Sequence, residues 1–538
     1  MKISGRIIDI HNRLIFPGKI FVQNGKIKKI EQSADVPDQF ILPGLIDSHI
    51  HIESSMVTPG SFARAAVSRG TTAVVSDPHE IANVLGIEGV HFMIEDSKKV
   101  PLKFYFGAPS CVPATGFEKN GATISREDTK VLMQLPEIKF LSEMMNYPGV
   151  INLDQEVMGK IETAIKEGKP IDGHAPGLTG DALVKYVRAG ISTDHECSTI
   201  EEAREKIELG MKILIREGSA ARNLESLMPL FKTKADMLML CSDDLHPEML
   251  AKGHINKLVA RLIMEGYDIF DVVRSCTLNP VLHYNLESGL LKPGDPADII
   301  VVDDYHTMNI LETWIDGEKV FGNGLVNFEY ENAVPVNKFN SSLIKAEDIS
   351  VQTNGTMLRV IQAFDKELLT KGLTVETNSG EFLYSDSDDD ILKIVVKDRY
   401  FDSPPAVGFI KGFGLKHGAF ASSVAHDSHN IICVGVSDDD IVSAVNEIVN
   451  LKGGLAVCDR GDVSSLQLKI AGIMSDRSCE SVASDYESLS ARVQALGCLL
   501  SAPFMTLSFM ALLVIPELKI SDSGLFDSKK FCHVPLFV

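Results

Sequence analysis

The sequence predicts an α/β protein organised around a (β/α)8 barrel, and three observations carry the prediction. Between residues 42 and 264, short apolar runs alternate with amphipathic stretches, making eight strand–helix units. Each apolar run closes on polar residues, as strands do when they deliver side chains to the C-terminal rim of a barrel. Turn-rich segments flank this region on both sides, so the 538-residue chain, too long for one core, divides. We expect 1–42 and 285–330 to be two parts of a small discontinuous β domain, 43–284 the barrel, and 331–538 a C-terminal α/β domain.

Taken in order, residues 3–42 read as short strands, with Asn24-Gly25 between two alternating runs as a hairpin signal. The barrel strands are expected at 42–51, 71–76, 104–108, 138–141, 170–173, 191–193, 212–215 and 237–241. The helices between and after them are expected at 61–68, 86–98, 125–135, 155–167, 180–189, 199–209, 219–230 and 247–264. Residues 289–303 and 314–321 return to strands and turns and should join 3–42 in one sheet. Beyond residue 337, strands at 392–396 and 431–436 alternate with a helix at 438–450, and the Gly-, Ser- and His-rich loop 412–431 is the chemical-looking part of this region.

Composition narrows the partners. A formal charge of −21 without a basic run argues against nucleic acid, whose binding rests on clustered Lys and Arg. Nine scattered cysteines without a C-x-x-C pair suit reduced thiols, and charge interrupts the N-terminal apolar residues too early for a secretory signal. Both point to the cytoplasm. The uncharged run 493–516 is long enough to span a bilayer, but Pro503 divides it, and we read a helix ending near Ser501 followed by a buried strand at 504–514. No membrane partner is expected.

The chemistry starts from His49 and His51, which share one face at the end of the first strand. Alone, such a pair can simply close a strand. Glu143, His174, His195 and Asp243 follow at the ends of later strands, and together they describe a centre for two divalent cations. His49, His51 and Asp243 suit one ion, His174 and His195 the other, and Glu143 can give one carboxylate oxygen to each. A water held between them would lose a proton near neutral pH. Imidazole and carboxylate without thiolate admit zinc, manganese or iron. Taken singly, Glu143 can equally be a strand-end cap, and His174 or His195 a core histidine satisfied by backbone.

With these residues in view, the chain resembles the amidohydrolase superfamily and, within it, the bacterial-type adenine deaminase family. The carrying segments are 43–56 (PGLIDSHIHIESSM), 76–83 (SDPHEIAN), 142–146 (SEMMN), 173–177 (GHAPG), 194–196 (DHE), 216–219 (REGS), 242–244 (SDD), 426–430 (HDSHN) and 505–517. Glu143 stands where many relatives carry a modified bridging lysine. The resemblance implies a metal-dependent hydrolase barrel, two ions that are manganese or iron, a homo-oligomer, and conversion of adenine to hypoxanthine and ammonia in purine salvage. Asp243 would take a proton from the attacking hydroxide and pass it to the departing amine. Asp77, His79 and Glu80 would supply or orient the ring proton, although His79 and Glu80 can also cap the following helix. Asp244 would hydrogen-bond a purine N–H. Arg216 and Glu217 either face the purine edge or pair with each other. His426, Asp427 and His429 either fold over the barrel mouth or form a solvated turn. The competing readings are a cyclic-amide hydrolase of the dihydroorotase or hydantoinase kind, and an inactive scaffold, which would lack ligands this sequence retains.

Overall fold

Residues 1–219, 222–377 and 380–538 are described by the computed structural model. The barrel strands are β1 (Leu45–Ile50), β2 (Thr71–Ser76), β3 (Lys103–Ala108), β4 (Ile138–Met144), β5 (Ile171–Gly173), β6 (Thr193–Asp194), β7 (Lys212–Arg216) and β8 (Leu238–Cys241). All pair in parallel, β1 to β5 as one arc and β6 to β8 as another. Single parallel bridges, Ile171 to Ile191 and Ile50 to Asp243, join the arcs into a ring. The second bridge sets candidate residues from opposite ends of the barrel sequence side by side, with the Asp243 N–H donating to the His49 carbonyl at 2.9 Å.

β1 and β2 are buried along their whole length because side chains fill the barrel within and helices cover it without. Ile46, Ala73, Val75, Tyr105, Phe140, Leu214 and Met239 pack the interior, and Tyr284 and Leu286 complete that cluster. With the interior filled by apolar side chains, space for a ligand is left at the strands' C-terminal ends.

One eight-stranded sheet combines Lys2–Asp9, Leu14–Gln23, Lys26–Gln32 and Phe40–Pro43 with Ile299–Val302, Ile310–Ile315, Glu318–Gly322 and Leu325–Val326, so the segments before and after the barrel do share a sheet. Its hairpin turns where expected: Gln23 pairs with Lys26, and Asn24 and Gly25 take positive φ of 53° and 74°. A second, mostly antiparallel eight-stranded sheet spans Met357–Gln362 to Asp462–Gln467, with helices Asp438–Leu451 and Cys479–Ala495 among its connections.

Several expectations need correction. The apolar stretch 504–514 is not a strand: helix Pro503–Phe509 starts with proline at its first turn and turns follow it. A short run buried on every side has no periodicity to separate helix from strand. Helix 86–98 begins earlier, as His79–Leu85, turns at Gly86 (φ 66°) and resumes as Ile87–Ser97. The expected helix 247–264 divides into Pro247–Lys252 and Ile255–Met264. Of the expected helix 219–230, residues 220 and 221 lie outside the described residues, and helix is present at Leu224–Leu227. Among the described residues no helix is long and apolar enough to cross a membrane.

Candidate active site

His49 and His51 emerge at the end of β1 with their Nε2 atoms 3.2 Å apart, and both rings are almost completely buried. His51 donates Nδ1–H to the Asp77 carbonyl at 3.1 Å, which leaves the Nε2 lone pair aimed into the barrel mouth. There Nε2 lies 3.2 Å from Asp243 Oδ1 and 3.3 Å from Glu143 Oε1. His49 Nε2 is 3.6 Å from the same Asp243 oxygen, and its ring stacks on His195 at 4.3 Å.

Glu143, at the end of β4, divides its carboxylate between two sets of nitrogens. Oε1 faces His51 at 3.3 Å and His79 at 3.5 Å. Oε2 faces His174 Nδ1 at 2.7 Å and His195 Nε2 at 3.1 Å. Ligands about 2.1 Å from one cation stand roughly 3.0–3.4 Å from each other in tetrahedral or octahedral geometry. The separations around Glu143 and Asp243 are of this size. Groups of three or four donors drawn from the buried His49, His51, Asp77, His79, Glu143, His195 and Asp243 and the half-buried His174 and Asp244 fit metal binding. The donor set therefore fits divalent cations in chemistry and in spacing.

Charge is tightly balanced. Burial pushes the pKa of Glu143 up, but His174, His195 and His51 override it and hold the carboxyl well below its usual range. The same contest at Asp243 is won by Arg216 and His51. Burial pushes His51 down, yet Asp243 and Glu143 raise it well above an ordinary histidine. His49 goes the other way, depressed by burial and by neighbouring His195 and His51. Asp243 adopts φ 55°, a left-handed backbone that aspartate tolerates better than most residues and that is held by its hydrogen bonds to β1.

At the end of β2, Asp77 Oδ2 accepts Nδ1–H of His79 at 2.9 Å. Glu80 accepts from two histidines of the C-terminal region, His426 through Nδ1 and His429 through Nε2, residues more than 300 positions away in the chain. His429 receives the Ala425 N–H on Nδ1, so it is the neutral tautomer donating from Nε2, and burial lowers its pKa to about 4. Burial also pushes His426 down, but Glu80 outweighs it and raises the pKa to about 9. Glu80 itself is held well below the carboxylate range, its burial overcome by His426, His429 and His79. The loop 426–430 thus folds over the barrel mouth and is not a solvated turn. Asp427 lies in the same pocket, its pKa raised by burial to about 6.

Apolar side chains complete the pocket. Leu368, Phe509, Leu512 and Ile515 line it together with the carboxylates and histidines, and the Phe509 ring stacks on His426 at 4.6 Å and 21°.

Known proteins of similar sequence identify the family. A sequence model described as the Amidohydrolase family matches residues 40–320, and one described as the Adenine deaminase C-terminal domain matches residues 367–532. An adenine deaminase of Methanosarcina mazei is 53% identical over 100% of this chain and 99% of its own length. One of Salinibacter ruber is 51% identical, again over 100% of this chain and 99% of its own. This chain belongs to the adenine deaminase family. The match to the adenine deaminase C-terminal domain includes Leu368, His426, Asp427, Phe509, Leu512 and Ile515, so the residues roofing the pocket fall within a segment characteristic of that family.

One expected site residue is placed differently, and one expected pairing is absent. Arg216 lines the pocket but does not pair with Glu217: its guanidinium reaches Asp243 Oδ2 at 2.5 Å and Glu196 Oε2 at 3.0 Å. Glu217 points out of the barrel towards Arg261, 3.8 Å away, and does not line the pocket of the histidines. Adjacent strand residues face opposite sides, so with Arg216 inside, Glu217 must lie outside. Asp244 does line the pocket, accepting from Ser54 Oγ at 2.5 Å, with its pKa raised by burial and by Asp243 beside it. Glu196, between Arg216 and the two histidines His174 and His195, each 3.5 Å away, was not singled out as a site residue in the sequence. Its position directly after His195 was the signal for it.

Proposed function

We propose that this chain hydrolyses adenine to hypoxanthine and ammonia in purine salvage, with His49, His51, His174, His195, Glu143 and Asp243 holding two divalent cations. The observation that carries the proposal is Glu143, whose two oxygens face separate groups of histidines beneath a roof drawn from the matched C-terminal segment. Cations bound there would supply Lewis acidity and bring a water to ionise near neutral pH.

The side chains account for the proton movements. Asp243, kept ionised by Arg216, accepts the proton of the attacking water at Oδ1 and returns it to the departing amine. His426, charged by Glu80 and free at a buried Nε2, gives a proton to the purine ring and is restored by the second proton of the attacking water, released as the C6 carbonyl forms; His79, 3.6 Å from Glu80 and hydrogen-bonded to Asp77, stands beside Glu80. Asp244 and Asp427 meet the polar edge of the purine, while Leu368, Phe509, Leu512 and Ile515 cover its flat face. Arg216 acts through Asp243 and Glu196, not on the substrate. The resemblance carries three further proposals: manganese or iron as the ions, with zinc also admitted by the donors; a homo-oligomer; and a cytoplasmic location.

The test is turnover. Metal-replete protein is expected to bleach the adenine absorbance while leaving dihydroorotate and hydantoin intact, and inertness to adenine would end the proposal. The cyclic-amide reading is the weaker one, because the pocket's roof belongs to a segment matched as an adenine deaminase domain. Elemental analysis of protein purified without added metal identifies the ions.

A further inference from the structure

Lys519 is fully buried in strand Leu518–Ser521, where an amine would ordinarily need a carboxylate beside it. Among the described residues it has none. Its Nζ donates instead to two backbone carbonyls, that of Leu368 at 2.8 Å and that of Phe509 at 3.0 Å. Both of those residues line the pocket. They come from separate segments: Leu368 precedes strand Lys371–Glu376, and Phe509 ends helix Pro503–Phe509. The Phe509 carbonyl is at a helix C-terminus, where intrahelical donors run out, and otherwise receives only a 3.4 Å contact from the Leu512 N–H.

We propose that Lys519 is a positioning residue of the adenine pocket, holding Leu368 and Phe509 at the spacing that grips the flat face of the substrate. Thr370 pins one side of the arrangement, its N–H and hydroxyl donating to the carbonyls of Pro516 and Leu518, and Lys519 ties that side to the helix. The chemistry of the amine suits the task. Burial pushes its pKa down to about 7, so it sheds its charge near neutrality and keeps two N–H donors, one for each carbonyl. A neutral amine with both donors used leaves no unpaired charge under the roof.

The inference rests on the adenine reading, and wild-type turnover of adenine is the control that separates the two. Lys519→Met keeps the length and bulk of the side chain and removes both hydrogen bonds. The variant, metal-replete, is expected to raise KM for adenine about tenfold, as loss of buried hydrogen bonds predicts, with kcat within about threefold and metal content unchanged. Hydrogen exchange should accelerate in 364–370 and 503–515 and not at the barrel strand ends. Should Lys519→Met fail to accumulate as folded protein, Lys519→Gln, whose NH2 sits one bond short and can serve only one of the two carbonyls, is expected to raise KM by an intermediate factor of about threefold. A KM within about twofold of wild type in the folded variant, or a loss confined to kcat, overturns the proposal.

Discussion

The pocket's floor is built at barrel strand ends, with His51, Glu143, His174, His195 and Asp243 within two residues of the last residue of β1, β4, β5, β6 and β8, whereas its roof comes from segments at 368, 426–429 and 509–515 of a separate sheet-and-helix region. The floor is polar and closely hydrogen-bonded; the roof presents Leu368, Phe509, Leu512 and Ile515. Glu80 is where they join, with both oxygens on roof histidines while its backbone belongs to the floor. The contrast separates two jobs. Strand ends fixed by backbone pairing hold several charged groups within bonding distance of each other, which a loop would do less accurately. A roof of distant origin covers those groups with apolar side chains and keeps water from them.

The largest expected effect breaks the floor alone. His51→Ala removes the imidazole shared by Asp243 and Glu143, so activity should fall by more than about 10⁴-fold together with metal content. Equal metal content in variant and wild type by elemental analysis would remove His51 from the ligand set. Cutting the joint should do less. Glu80→Gln is expected to lower kcat by about 10²- to 10³-fold with metal content retained, the range for disabling one positioned proton donor, here His426, which loses the carboxylate that keeps it charged. Metal loss in that variant would instead make Glu80 part of the floor.

The same joint predicts how stability varies with pH. His426 has its folded pKa raised to about 9, so its contribution is complete below the unfolded value of about 6.5 and is lost as pH rises towards 9. His429 is depressed to about 4, so the folded state is penalised as pH falls from about 6.5 towards 4. By themselves the two favour stability near pH 6.5, each worth up to about 3 kcal/mol; His174, also raised to about 9, adds to the alkaline limb, and His246 and His283, lowered to about 3 and about 4, add to the acid limb. In Tm measured against pH, His426→Asn should flatten the alkaline limb and His429→Asn the acid limb. Unchanged limbs in both variants would mean that roof and floor are not coupled through Glu80.

How legible each half was follows from how it is built. In the barrel, a strand's period of two and its polar end mark the rim, so His49, His51, Glu143, His174, His195 and Asp243 could be gathered without coordinates, and the structure brings them together. The alternation of short strands and helices made the barrel itself readable. The roof offered no such period. The 504–514 run looked like a strand because burial on all sides erased the helical pattern, and Phe509 was therefore overlooked. His426 and His429 could be noticed, but nothing local indicated that Glu80, 346 and 349 positions away, would be their partner. Lys519 left no sequence signal, since its partners are backbone carbonyls.

The smallest expected effect tests where the floor ends. Glu217 follows Arg216 directly, yet the two side chains leave β7 on opposite faces. Its carboxylate is 3.8 Å from Arg261 and partly exposed, an arrangement in which an ion pair contributes at most about 1 kcal/mol. Burial raises its pKa, outweighing Arg222 and Arg261, so its charged form gains little from the site it occupies. Glu217→Ala should therefore leave kcat/KM for adenine within about twofold and metal content unchanged, with stability altered by no more than about 1 kcal/mol. A large loss of activity there would show that the layer behind β7 sets the geometry of Arg216 and Asp243. The floor would then be two residues thick, and the division between a polar rim and an apolar roof would have to be redrawn.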